Sequence, residues 1–264
     1  MGIPGASSVI PAMLEASGLY HGWRLATLAA IRDETPSVRS LAFSVPQWSG
    51  HVAGQHLDVR LTSDDGYQAE RSYSIASPSG RIALIEITVE RIADGEVSPF
   101  LTEQLSLGDT IELRGPVGGY FTWSADNPAP LMLIAGGSGI VPLMSMLRTR
   151  ARAANRCPAR LLYSSRNFGE IVYHSELEGL VATQDGLSVA HTLTRGAPAN
   201  WKGETRRVDS EMLAKYTFPA TQTPHNFICG PTAFVETVAD RLVALGHPET
   251  VIKTERFGPT GERQ

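Results

Sequence analysis

The hydrophobic period of this chain changes once, across the polar, two-proline stretch SADNPAP at residues 124–130. Before it, short β-rich runs recur: WRLATLAAI, VRSLAFSV, LDVRLT, RSYSIAS, IALIEITVE and TIELRGP. Turns separate them, among them Pro46-Gln47-Trp48-Ser49-Gly50, Ser63-Asp64-Asp65-Gly66 and Gly108-Asp109. About six strands at this spacing predict a small antiparallel β-barrel. After the change, LMLIA is apolar without a break, as a strand covered on both faces must be. Helical stretches then alternate with strands: PLMSMLRTRARAA, ARLLYSS, VYHSELEGLVA, LSVAHTLT, SEMLAKY, NFICGP, AFVETVADRLVALG and VIKTERFG. That order predicts a parallel sheet with helices on both faces. The expected organisation is two-domain: a six-stranded antiparallel barrel over 21–123, a linker over 124–130, and an α/β domain over 131–264. Residues 1–20 read as a small, turn-rich N-terminal arm.

Composition narrows the function classes. A length of 264 residues accommodates two domains of about 100–150 residues each. With 42% hydrophobic and 19% charged residues, the chain has the balance of a soluble globular protein. Its net charge of −4 and the lack of a Lys/Arg block leave no electrostatic footprint for nucleic acid. No signal-peptide pattern opens the chain, and no stretch reaches the ~20 apolar residues of a membrane span. The two cysteines, Cys157 and Cys229, make neither a disulfide framework nor a metal cage. A reduced cytoplasmic setting is the expectation, with no metal site.

Several short stretches carry chemistry. On RSYSIASP, Arg71 and Tyr73 share one strand face, because strand side chains repeat every two residues. A guanidinium beside a flat phenol suits a ligand with an anionic link and a planar ring. Ser74, to the side, can hydrogen-bond a ring-edge nitrogen. By itself the stretch reads equally as an exposed barrel strand. Downstream, Asp94-Gly95-Glu96-Val97 feeds a helix start in which Ser98 is the expected N-cap and Pro99 the first helical residue, with Phe100, Leu101 and Leu105 forming its apolar face. Such a start offers free backbone N–H groups to an anion, and Glu96 is then expected to point outward.

In the second half, GGSGIVP joins the first strand to its helix. It is not G-x-G-x-x-G, because Pro142 stands at the third glycine, and no Gly-Lys-Ser/Thr follows as in a P-loop. A glycine-rich turn at the carboxyl end of a first strand still favours a diphosphate or a ring amide. Cys229-Gly230-Pro231 opens a later helix; a cysteine there reads as a reactive thiol or, preferably, as a small buried apolar residue. Tyr163-Ser164-Ser165-Arg166-Asn167 follows the second strand, where an adenosine ribose would lie. Ser165 and Arg166 there lean towards NADPH, and read equally as a surface turn.

Arg71-x-Tyr73-Ser74 followed by a small-residue turn resembles the flavin-binding strand of the ferredoxin–NADP reductase family. Gly95-x-x-Ser98, the Gly115-Pro116-Val117-Gly118-Gly119-Tyr120-Phe121 loop, Gly136-Gly137-Ser138-Gly139-Ile140-Val141-Pro142 and Cys229-Gly230-Pro231 follow in that family's order. The tail Glu255-x-Phe257-Gly258-Pro259 is similar to the end of the reductase portion of flavohaemoglobins. The resemblance implies FAD held across the barrel and NADPH or NADH held by the second domain, with hydride passing from nicotinamide C4 to flavin N5. It implies flavin-side contacts from Arg71, Tyr73, Ser74, Ile87, Val89, Gly95, Val97 and Ser98. On the nicotinamide side it implies Gly137, Ser138, Gly139, Pro142, Ser165, Arg166, Cys229, Gly230 and Pro231. Ser74, Cys229, Glu255 and Phe257 are the implied catalytic set: Ser74 at N5, Cys229 lining the nicotinamide pocket by packing, Phe257 covering the flavin, Glu255 close by. With too few cysteines for a plant-type [2Fe–2S] centre, the expected acceptor is a separate redox protein such as a ferredoxin, haem or oxygenase partner. A reductase of free flavin, quinone or metal chelate, and a non-catalytic flavin-binding subunit, are the alternatives.

Overall fold

A computed structural model describes residues 22–257. The expected arm at 1–20, and Gly258 and Pro259 of the tail motif, lie outside the described residues. The chain divides in sequence between Thr122 and Trp123 into two compact units.

The first unit holds six strands: β1 (Trp23–Thr35), β2 (Val38–Ser44), β3 (His56–Thr62), β4 (Gln68–Ser74), β5 (Ile85–Glu90) and β6 (Thr110–Val117). They form one sheet in the order β4-β3-β6-β1-β2-β5, every pair antiparallel. The ends of the sheet meet where β4 runs on. Ile75 bridges Ile87, and the Ala76 N–H donates to the Glu86 carbonyl at 2.7 Å. The barrel therefore has six strands, as the alternating runs predict. On β3, Leu57 and Val59 point into the core while His56, Asp58 and Arg60 point out. Leu28, Leu41, Phe43, Ile85, Ile87 and Leu113 complete the inner layer. Each such side chain, fully buried, stabilises the fold by about 1.5–3 kcal/mol. On the outer face Trp23 lies between two guanidinia, Arg60 at 4.3 Å and Arg114 at 4.6 Å from its ring centre, and these pair with Glu112 and Asp58.

Two local expectations change. The helix after β5 begins two residues earlier: α1 spans Val97–Pro99 and continues as a wide π turn over Phe100–Gln104. Its N-cap position is Glu96, whose side chain makes no capping bond, and Pro99 stands at the third helical residue. Ser98 does not cap, because its hydroxyl turns back to accept the Ile92 N–H at 3.1 Å. Likewise Gly115, Pro116 and Val117 extend β6 rather than opening a loop, with Gly115–Pro116 a cis bond.

The second unit is a five-stranded parallel sheet: β7 (Leu131–Gly136), β8 (Ala159–Asn167), β9 (Leu187–Gly196), β10 (His225–Pro231) and β11 (Ile252–Phe257). The order is β11-β10-β7-β8-β9. All six residues of β7 are buried, which accounts for its unbroken apolar run. Four helices connect the strands: α2 (Ile140–Arg152), α3 (His174–Ala182), α4 (Ser210–Tyr216) and α5 (Thr232–Ala244). On one face Met132, Ile134, Leu162 and Ile228 pack against α4 and α5 through Met212, Leu213, Val235 and Leu242. α2 packs on β7 and β10, and α3 on β9. The chain winds from β7 outward to β9, then returns to β10 on the other side of β7. This reversal makes a topological switch point between β7 and β10, where open α/β sheets bind ligands at the strands' carboxyl ends.

Candidate functional site

In the first unit the candidate flavin residues gather on β4 and the loop that α1 sets against it. Arg71 is exposed and donates through Nη1 to the Glu70 carbonyl at 2.6 Å, leaving most of its fork for an anion. Tyr73, on the same face, is half-buried against the barrel core. Burial pushes its phenol well up, against the nearby Arg71 cation, so it stays neutral and flat-faced. Ser74 ends the strand, paired across to His56. α1, which carries Ser98, packs on β4, and Gly95 lies two residues before its start. The loop before α1 is tied at Ile92, whose N–H goes to Ser98 Oγ and whose carbonyl accepts the Gly95 N–H at 2.9 Å. A Cβ at Gly95 would stand 3.1 Å from that carbonyl and 3.2 Å from Ser98 Oγ, so a side chain there would crowd the knot.

Three residues expected as flavin contacts have their side chains turned into the core. Ile87 and Val89 are fully buried and Val97 nearly so, all three inside the barrel core. Their side chains face inward because β5 alternates in the register that closes the barrel, and only their backbone remains for a ligand.

In the second unit, two turns meet at the switch point. A 3₁₀ turn, Gly137–Gly139, leads from β7 into α2, and Pro142 sits buried within the first helical turn. Gly139 lies so close to the Cys229 carbonyl that any Cβ would overlap it. A Cβ on Gly136 would stand 2.9 Å from the Phe234 ring, and one on Gly230 2.8 Å from the same ring. Gly137 has a left-handed φ of +56° with open space where a side chain would be. The glycines therefore do two jobs: three permit close packing, and Gly137 permits the turn while leaving its outer side clear.

Cys229, Gly230 and Pro231 all belong to β10, and α5 starts only at Thr232, so Cys229 is not at a helix N-terminus. Complete burial, and secondarily the Glu255 carboxylate beside it, raise the thiol well above its ordinary range. That fits a packing residue rather than a nucleophile. Parallel register sets Glu255 opposite Cys229 and Phe257 opposite Pro231.

At the end of β8, Ser165 is 4% exposed and its hydroxyl has no hydrogen-bond partner within the described residues. A buried orphan hydroxyl beside a nucleotide-type turn suits a ligand hydroxyl or phosphate. Arg166 is exposed and donates through Nε to Glu170 at 2.5 Å, while Asn167 donates to the other oxygen of that carboxylate at 2.8 Å. The sequence reading passed over Glu170, as it did Phe234 and the bond from Tyr67 to Glu96. Phe234 and the Tyr67–Glu96 bond gain their roles through tertiary contacts that no spacing rule announces, whereas Glu170 meets Arg166 locally. An acid four residues beyond Arg166 was the one available signal.

The donor set fits the implied cofactors: an exposed guanidinium with most of its donors open beside a neutral ring, and an open glycine turn beside a hydroxyl unpartnered among the described residues. Residues 25–122 match the oxidoreductase FAD-binding domain model and residues 133–240 the oxidoreductase NAD-binding domain model. The chain is 33% identical over 239 residues to "Ferredoxin--NADP reductase B" of Sorangium cellulosum, covering 88% of this chain and 96% of that protein. It is 32% identical to the ferredoxin reductase component of 3-ketosteroid-9-alpha-monooxygenase of Mycobacterium tuberculosis, covering 87% of this chain but 64% of that longer protein. A crystal structure of a ferredoxin NADP+ reductase from Neisseria gonorrhoeae with bound FAD and NADP shares the fold, with a TM-score of 0.76 at 21% identity over 90% of this chain and 99% of that one. With a relative this similar along nearly its whole length, and with both domain models matched in order, the chain belongs to the ferredoxin reductase-like family of FAD- and NAD-binding oxidoreductases.

Proposed function

We propose that this protein oxidises a reduced nicotinamide nucleotide with bound FAD and passes the electrons to a separate redox protein. The observation that carries the reading is the pairing on β4 of an exposed Arg71 with a half-buried, neutral Tyr73 on one face. FAD supplies the chemistry, taking two electrons together and releasing them singly. Arg71 holds the pyrophosphate through its fork, Tyr73 lies flat against the ring system, and Ser74 Oγ hydrogen-bonds the ring edge. In the second unit the Gly137–Gly139 turn and α2 receive the dinucleotide phosphates, and Ser165 Oγ the adenosine ribose. Cys229 fills space beside the nicotinamide with its thiol protonated. The relatives' names support a protein acceptor of the ferredoxin or oxygenase kind.

The nucleotide preference moves from NADPH towards NADH once Glu170 is considered. Its carboxylate neutralises Arg166, the cation a 2′-phosphate would need, and an acid near the ribose suits a 2′-hydroxyl. Anaerobic mixing with NADH and NADPH separately, following flavin bleaching, tests both points. Bleaching with NADH faster than with NADPH is expected. Flavin that neither nucleotide reduces ends the enzyme reading, and faster bleaching by NADPH ends the preference. Glu170→Gln is expected to raise the NADPH rate relative to NADH. Rapid steady oxidation of the nucleotide with no partner protein would favour a small free acceptor.

A further inference from the structure

Two residues beside the proposed phosphate anchor, Tyr67 and Glu96, form a pair that the flavin reading leaves unused. Ala69, Arg71 and Tyr73 share one face of β4, Ala69 small and buried, and the exposed Tyr67 stands just before the strand. α1 packs over this strand. Glu96, at the start of α1, is exposed, and the Tyr67 hydroxyl donates to its carboxylate, 3.1 Å from each oxygen. The same phenol feels the Arg71 guanidinium, which lowers its pKa while Glu96 raises it more strongly. Tyr67 therefore bonds the carboxylate while lying within the field of the cation that carboxylate would otherwise seek. Arg71 itself bonds only to the Glu70 carbonyl among the described residues.

The chemistry of this group is a competition. A carboxylate next to a guanidinium takes the same fork that a phosphate needs. In water the two charges attract weakly, but the pairing lowers anion affinity by whatever it is worth. Holding the carboxylate by a hydroxyl donor satisfies it without using the guanidinium.

We propose that Tyr67 is a positioning residue for FAD, keeping the Glu96 carboxylate off Arg71 so that the guanidinium stays available to the pyrophosphate. The inference rests on the flavin reading above and adds to it a residue that acts through another. Glu96 is the element that would oppose the cofactor, and Tyr67 is its restraint.

The test uses the full chain, stripped of flavin and titrated with FAD, in four forms: wild type, Tyr67→Phe, Glu96→Gln and the double variant. Tyr67→Phe removes one oxygen at an exposed position, and thermal melts check that all four stay folded. Tyr67→Phe is expected to weaken FAD binding about threefold to fivefold, the size an exposed charge contact supports. The loss should vanish in the Glu96→Gln background, the double variant binding as Glu96→Gln does. Raised salt should shrink the loss, since it acts through charge. If Tyr67→Phe binds FAD like wild type, the restraint does not exist. If it loses as much with Glu96→Gln present, Tyr67 acts on FAD directly and the proposal is wrong. If wild type takes up no FAD, the flavin reading itself falls and takes this one with it.

Discussion

The backbones of Gly139 and Cys229 are in contact: a Cβ at position 139 would overlap the Cys229 carbonyl and stand 2.7 Å from the Gly230 nitrogen. The turn after β7 and the end of β10 are thereby locked together at the switch point. Gly139→Ala is expected to push the two apart, costing about 3 kcal/mol, the upper end of overpacking. Gly137→Ala, with the same chemistry but open space and a left-handed φ, should cost about 1 kcal/mol. Denaturant melts of the two variants, with NADH affinity measured alongside, check the contrast. Equal losses would mean that close packing at 139 is not the reason for glycine.

Arg71→Ala removes the charge-assisted contact proposed for the pyrophosphate. Such a contact is worth about 1.5–3 kcal/mol, so FAD affinity should fall roughly ten- to a hundredfold. Because Arg71 is exposed, the melting temperature of the flavin-free protein should stay put. FAD titrations and melts on the same preparations test this, and an unchanged affinity removes Arg71 from the site.

Arg150, nearly fully buried, is expected to matter for folding alone. Its Nε donates to the Cys157 carbonyl at 3.0 Å, and its two terminal nitrogens reach the Asp185 carboxylate and carbonyl, each at 2.7 Å. The clamp ties the end of α2 to the segments entering β8 and β9. Breaking a buried pair from one side leaves an uncompensated partner, so Arg150→Ala should cost about 3–5 kcal/mol. Urea unfolding measures it; a loss under 1 kcal/mol would show that the neighbouring backbone re-satisfies itself.

His191 makes the second unit sensitive to acid. It lies among Tyr163, His174 and Trp201. Burial, and secondarily His174, push its pKa down to about 4. The unfolded chain binds a proton near the ordinary histidine value, whereas the folded one does not until the pH is lower. Stability is therefore expected to fall as pH drops from about 6.5 to 4, by at most about 3 kcal/mol from this group. Thermal melts across that range should show the slope, and His191→Gln should flatten it. An equal slope in the variant would assign it to other groups.

Much of this architecture is legible along the chain. The period-two runs marked six strands because Leu57 and Val59 must alternate with His56, Asp58 and Arg60 when one face is wet. LMLIA marked a strand buried on both faces because β7 has neighbours on both sides and helices above and below. The local details were less legible. Ser98 looks like an N-cap, yet its hydroxyl finds the Ile92 N–H first, and the helix starts earlier. Cys229 looks like the first residue of a helix, yet parallel pairing with β11 keeps it in the strand.

What the sequence determined by itself was the kind of each half and the order of its chemical groups, because periodicity and short motifs are properties of neighbours along the chain. Only the tertiary structure decided which side of each strand met a ligand or a core. It turned Ile87, Val89 and Val97 inward, left the Ser165 hydroxyl buried without a partner among the described residues, and set Tyr67 on Glu96. Those outcomes depend on register and on approach between segments distant in sequence or folded back by a turn. The energies that decide them arise only once the surrounding backbone is in place.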